Sequence, residues 1–197
     1  MIVHSQFSEN YVSGRFDGPV LRLGFPCDQK PGFDKDNRQV WRSDVLRTPF
    51  VRALSFGHLT ANKSIDVFIE AISRSNLLRT GIRYTIAGHP SDRAYTDHLL
   101  SLIEEYGLRN VVTMEFSVPE SRLTEMMRDA DFFVNLRYPN TEAASASLAE
   151  QMYSGKPSPI YATGRYAQAP SDPSIPIERP ADCWEITRPL DGGVPPP

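Results

Sequence analysis

Between residues 50 and 163 two kinds of segment alternate, and few folds can accommodate that. Short apolar runs that stop at a turn are followed by stretches whose apolar residues recur three and four positions apart. Residues 50–56 read as a strand ending at Gly57. Ile65, Phe68, Ile69 and Ile72 then fall at helical spacing, from a helix opening near Asn62. Residues 82–87 read as a strand stopped by Gly88. Tyr95, Leu99, Leu102, Ile103 and Tyr106 mark a second helix, closed by Gly107. Residues 111–116 are the third strand, and Leu123, Met126, Met127 and Ala130 a third helical stripe. Residues 131–136 are the next strand, residues 145–153 a helix stopped by Gly155 and Pro157, and residues 159–162 a short last strand. This is an α/β pattern. It predicts a parallel sheet of about five strands with helices on both faces. Open sheets of this kind bind ligands beyond the carboxyl ends of their strands. The loops at Gly57-His58, Gly88-His89, Phe116-Ser117, Arg137-Tyr138 and after Ala162 are therefore expected to assemble the site.

Composition removes several function classes. The 197 residues suit one sizeable α/β domain with ragged ends. Net charge is −3, which offers no basic face and predicts no nucleic-acid partner. No apolar run approaches the ~20 residues of a transmembrane segment, and the first residues lack the pattern of a signal peptide. Cys27 and Cys183 are too few for a disulfide framework or a thiolate metal site, so a cytoplasmic setting is expected. Beyond residue 163 the chain is rich in proline and ends in Pro195-Pro196-Pro197, a composition that propagates neither helix nor central strand.

No G-x-G-x-x-G follows the first strand, no phosphate-loop motif is present, and His4, His58, His89 and His98 show no metal-ligand spacing. His89 and His98 read as surface residues, Asp66 as a helix-surface carboxylate, Met126 and Met127 as core, and Trp41 and Trp184 as packing residues. What stands out is a pair of carboxylates eight apart, Glu142 and Glu150, separated only by Ala, Ser and Leu. Glu142 falls in the loop after a strand and Glu150 in the helix that follows. The small residues between them leave the helix N-terminus open, with free N–H groups and a positive dipole end that suit an anion. One reading makes the two carboxylates joint ligands of a sugar diphosphate. The other makes them a surface and a helix-face glutamate with no shared role.

The E-x7-E spacing, followed by Gly155-Lys156-Pro157, resembles the donor-site signature of family 4 glycosyltransferases. Residues 55–66, with a strand, a glycine turn and Lys63 opening a helix, resemble the start of that family's second domain. Residues 84–88 resemble its second strand, and residues 112–120 and 130–135 the loop and strand around the nucleotide base. Residues 1–5 resemble the last strand of its first domain and residues 20–26 the crossing into the second. The resemblance spans about residues 1–170. It implies a Rossmann-like sheet forming the C-terminal half of a GT-B fold. Residues 1–26 would be a remnant of the acceptor domain and hinge, 27–49 a linker, 50–170 the nucleotide-sugar-binding domain and 171–197 an irregular tail. The bulk of an acceptor domain is expected to lie outside the chain, which then looks like part of a longer enzyme.

The resemblance further implies a hexosyltransferase that retains anomeric configuration and needs no cofactor or metal, of the kind used in polysaccharide biosynthesis. Its donor would be a nucleotide sugar such as a UDP- or GDP-sugar. Its acceptor would be a glycan, lipid or other hydroxyl compound held by the missing domain. Glu142 and Lys63 would be catalytic, Glu142 holding the donor sugar and Lys63 neutralising the diphosphate. Glu150 would bond the ribose hydroxyls and the Phe116-Ser117-Val118 loop would hold the base. Gly57, His58, Ala143, Ser145 and Ser147 complete the expected donor site. Two departures stand out. His58 occupies a place where the family often has arginine, and Ala143 and Ala144 stand where it usually has glycine. The alternative on the sequence is a non-catalytic nucleotide-binding fragment of such an enzyme; another GT-B enzyme, such as an epimerase or phosphorylase, is disfavoured by E-x7-E followed by Gly155-Lys156-Pro157.

Overall fold

The computed structural model describes residues 1–24, 49–140, 145–169 and 173–177. All but residue 49 of the expected linker 27–49, Trp41 and Trp184, the catalytic candidate Glu142 with Ala143, and the tail beyond 177 lie outside the described residues.

The central elements form where the spacing places them. Strand β3 (Val51–His58) is followed by helix α2 (Ile65–Arg74), β4 (Ile82–His89), α4 (Arg93–Glu105), β5 (Val112–Phe116), α5 (Glu120–Asp129), β6 (Phe132–Phe133), α6 (Ala146–Ser154) and β7 (Ser158–Tyr161). Two helices had no clear signal: α1 (Gln6–Val12), which lies between the short strands β1 (Ile2–Val3) and β2 (Leu21–Arg22), and the short α3 (Asn76–Gly81). The strand β8 (Ser174–Ile177) lies within the stretch expected to be irregular. Its proline, Pro176, is accommodated because β8 pairs with one neighbour, β7, among the described strands, so an N–H is not needed on the other side.

Every pairing is parallel. The main sheet runs β5-β4-β3-β6, and β7-β8 continues it through an isolated bridge, Asn135 to Ile160. The expected parallel sheet of about five strands is, among the described residues, four strands continued by a pair. The backbone between Phe133 and Asn135 still bonds Pro157 and Pro159, at 2.9 and 3.1 Å.

Alternation along the strands builds two cores. Ala53 packs on one face with Phe68, Ile69, Ile72, Tyr84, Leu99 and Ile103, from α2, β4 and α4. Leu54 and Phe56 point the other way, to Met126, Met127 and Phe133, so Met126 and Met127 are core as expected. Phe68 meets Tyr84 edge-on at 4.9 Å, and Tyr84 holds Ser55 at 2.7 Å, so the hydroxyls buried on this face have partners. Asp66 does more than decorate a surface. It accepts the Tyr95 hydroxyl at 2.6 Å, and that hydroxyl also accepts the Ile65 N–H at the start of α2.

The Gly155-Lys156-Pro157 stretch has a structural explanation. Gly155 ends α6 in the left-handed region, at φ 70°. The Lys156 ammonium donates to the carbonyls of Met127, Arg128 and Ala130, at 2.8, 2.5 and 2.5 Å, closing the C-terminus of α5. Burial lowers its pKa to about 8, against the opposing pull of Asp131.

Candidate functional site

The strands end level with one another. Gly57 pairs with Gly88, His58 with His89, and Gly88 with Phe116. Strand register therefore brings three of the expected loops to one edge. Gly88 has to be glycine here, because a Cβ would lie 2.1 Å from the Gly57 carbonyl oxygen. Beyond Gly57 the chain makes a 3-10 turn, Ala61–Lys63, and Ser64 adopts a left-handed conformation before α2 begins at Ile65. Lys63 thus ends a turn rather than opening the helix. Freed from the helix axis, its side chain folds back over the glycine turn, and Nζ donates to the Phe56 carbonyl at 2.7 Å. Gly57, at φ 107°, leaves room for it, since a Cβ there would lie 2.7 Å from Nζ.

On the other side stands the start of α6. Ser145 is its N-cap, and its hydroxyl accepts the Leu148 N–H. A buried chain of polar groups holds that cap in place. Tyr166 OH lies 3.0 Å from Ser145 Oγ and 3.1 Å from Asn135 Oδ1, and Asn135 Nδ2 donates to Gln151 Oε1 at 3.0 Å.

Between these two walls lies an open hollow of about 800 Å³. Five of the expected site residues line it: Gly57, His58, Lys63, Ser145 and Ser147. Arg137 lines it too, although only 5% exposed, and a 2.7 Å bond from Tyr138 N to the Asn62 carbonyl ties its neighbour to the Lys63 turn. The sequence places Arg137 in one of the strand-end loops expected to build the site, though not in the donor set. Two cationic side chains and a helix N-terminus meet here, and the described lining residues include no carboxylate. The chemistry suits a multiply charged anion.

Glu150 is not among the lining residues. It is the fifth residue of α6, little more than one turn in rather than two. Four residues after Ala146 and three after Ser147, both of which line the hollow, it lies on the same helix face, half-buried. Phe116, Ser117 and Val118 stand apart, at the end of β5 two strands away. Phe116 is exposed, Ser117 is at φ 50° with its N–H on the Gly88 carbonyl, and Val118 packs towards Phe56. A relay joins this loop to the hollow. Ser117 Oγ lies 3.2 Å from His89 Nδ1, the His89 and His58 rings meet edge-on at 5.9 Å, and His58 Nδ1 lies 2.6 Å from Ser91 Oγ. Among the described residues no group of three or more acidic, histidine or cysteine side chains is placed to hold a metal ion. No helix among them is long and apolar enough to cross a membrane.

Comparison with solved structures finds this architecture in glycosyltransferases of the GT-B fold. WaaG, a glycosyltransferase involved in lipopolysaccharide biosynthesis, superposes with a TM-score of 0.70 at 19% identity, over 98% of this chain and 52% of that one. A glycosyltransferase from Rickettsia africae gives 0.75 at 14% identity, over 98% and 52%. Anabaena Alr3699/HepE, solved in complex with UDP, gives 0.71 at 15% identity, over 97% and 52%. The chain thus spans about half the length of these proteins. No curated protein matches its sequence. Residues 39–169, more than half of the chain, match the family described as glycosyl transferases group 1. The chain belongs to the group 1 glycosyl transferases.

Proposed function

We propose that this chain carries the donor-binding half of a family 4 enzyme, in the C-terminal position of its GT-B fold, and that the enzyme moves a hexosyl unit from a nucleotide sugar to a hydroxyl acceptor with retention of configuration. The single observation that carries this is the hollow in which Lys63 and the α6 N-terminus converge from opposite walls. A diphosphate there meets an ammonium on one side and free helix N–H groups on the other. Breaking the sugar–phosphate bond adds negative charge to the departing diphosphate, and both groups stabilise that charge as it forms. The resemblance gives Glu150 the ribose hydroxyls, which its place one turn behind Ala146 and Ser147 allows. It gives Glu142 the sugar and the Phe116-Ser117-Val118 loop the base. The two histidines span the distance from that loop to the hollow, and HepE, of similar architecture, was solved with UDP bound. No metal enters this reading, because the cations are supplied by the chain. The acceptor, a glycan, lipid or other hydroxyl compound, belongs to a further domain, and a cytoplasmic setting goes with the reading. Donor binding is the part that this chain carries itself.

Calorimetry with UDP, GDP and their sugar conjugates, in chelator, tests it. Binding at sub-millimolar to millimolar concentration is expected. Glu150→Ala should weaken nucleotide and sugar nucleotide alike, by about 1.5–3 kcal/mol for each charged hydrogen bond lost. Glu142→Ala should weaken only the sugar conjugate. Equal losses for both ligands in both variants would show that the two carboxylates do not divide the donor. No binding of any of these ligands would refute the donor site itself.

A further inference from the structure

We infer that Arg137 is a second phosphate-binding cation of the hollow, supplying the planar guanidinium that His58, on the other wall, does not offer. This rests on the donor-site reading above. Arg137 closes the run from Phe132 through Leu136, a residue type that such a run buries only with reason. Along an extended chain every second residue shares a side. Asn135, two residues before Arg137, bonds Gln151 of α6, so Arg137 points to the side on which α6 packs. There it lines the hollow together with Ser145, Ala146 and Ser147 of the α6 N-terminus.

Two structural tethers fix its place relative to Lys63. The Tyr138 N–H is bonded to the Asn62 carbonyl at 2.7 Å, so the residue after Arg137 is clamped to the residue before Lys63. Lys63 in turn is docked on Phe56. Guanidinium and ammonium are thus carried on one bracket, lining the same space from the segment after β6 and from the β3 turn. A phosphate in the hollow would face the guanidinium, the ammonium and the positive end of α6 together. A guanidinium offers planar, paired donors that match two oxygens of one phosphate, whereas Lys63 acts as a point charge. The division of labour follows: Lys63 neutralises, and Arg137 orients the diphosphate with two parallel bonds.

The test compares UDP with UMP, which share base and ribose and differ by one phosphate, on wild type, Arg137→Lys, Arg137→Gln and the double variant His58→Arg/Arg137→Gln. Thermal unfolding establishes that each is folded. Arg137→Gln should weaken UDP at least tenfold and shrink the UDP-to-UMP affinity ratio, with Arg137→Lys intermediate. His58→Arg, returning a guanidinium to the same hollow from its other wall, should recover much of the ratio. A role in bracing the loop would weaken UDP and UMP equally, and His58→Arg would restore nothing; that result overturns the inference. Wild-type UDP binding with an Arg137→Gln variant of unchanged ratio overturns it alone. Failure of the wild type to bind any nucleoside diphosphate overturns the donor-site reading, and this inference with it.

Discussion

The close approach of β3 and β4 at Gly57 and Gly88 makes the carboxyl edge of the sheet sensitive to a single methyl group. In Gly88→Ala the new Cβ would sit 2.1 Å from the Gly57 carbonyl oxygen, and 2.8 and 3.0 Å from Leu59 Cδ2 and Cγ. Ordinary contact begins at 3.4 Å, so the backbone oxygen must retreat by more than 1 Å. Leu59 cannot make room cheaply, because it is fully buried and its N–H is bonded to the His89 carbonyl at 2.8 Å. Overpacking costs about 1–3 kcal/mol, and obstruction by backbone rather than a side-chain tip places this variant at the upper end, near 3 kcal/mol. Gly107→Ala is the control. It forces alanine into φ +63° with nothing within 4 Å, a local strain of about 1 kcal/mol. Urea unfolding of both variants reads the difference, the slope being unchanged if the unfolded state is the same. Nucleotide titration should show Gly88→Ala impaired and Gly107→Ala near wild type, since Gly57 carries the turn over which Lys63 folds. If the two variants were equally stable, the strands would have slack at this edge and the argument from register would fail.

Removing the Tyr166 hydroxyl with Tyr166→Phe deprives buried Asn135 and Ser145 of a partner. It should cost about 1–3 kcal/mol by chemical denaturation; a neutral result would mean that the cap of α6 is held without it. Lys156 has a folded-state pKa lowered to about 8 from 10.5, so between those values the unfolded chain binds more protons and stability rises with pH, with no such contribution below 8. The wild-type stability curve should therefore climb relative to that of Lys156→Met from pH 8 to 10.5. Parallel curves would show that the three carbonyls keep the ammonium as basic as in water.

Most of the layered architecture was legible because period sufficed. Ile65, Phe68, Ile69 and Ile72 can face one core only on a helix, and Ala53-Leu54-Ser55-Phe56 can feed two opposite cores only as a strand. Short elements carried no such signal. α3 and the strands β1, β2 and β8 hold too few residues to display a period, and β8 includes a proline that local rules count against it. Among the site residues, Lys63 was legible as a cation after a glycine turn, but its route back to the Phe56 carbonyl depends on the left-handed Ser64, which composition does not signal. Arg137 stood in an expected loop but outside the donor set, because its place beside the N-terminus of α6 emerges only when the segment after β6 and α6 are brought together, two stretches separated in sequence by the loop that holds Glu142. The family resemblance supplied what periodicity lacked, an order of motifs. It also gave Gly155-Lys156-Pro157 a part in the donor signature, where the structure uses the lysine to close a helix.

The bond from Lys63 to the Phe56 carbonyl also has an entropic side. A free lysine surrenders up to ~2 kcal/mol of rotamer freedom when a ligand fixes it. Here the side chain is already confined by its bond to the Phe56 carbonyl, and folding has absorbed that loss. An arriving phosphate oxygen exchanges with, or shares, a carbonyl acceptor at a site where the ammonium is already oriented. The lysine's contribution to affinity should then be mainly enthalpic, with a smaller entropy penalty than a mobile surface lysine would bring to the same phosphate.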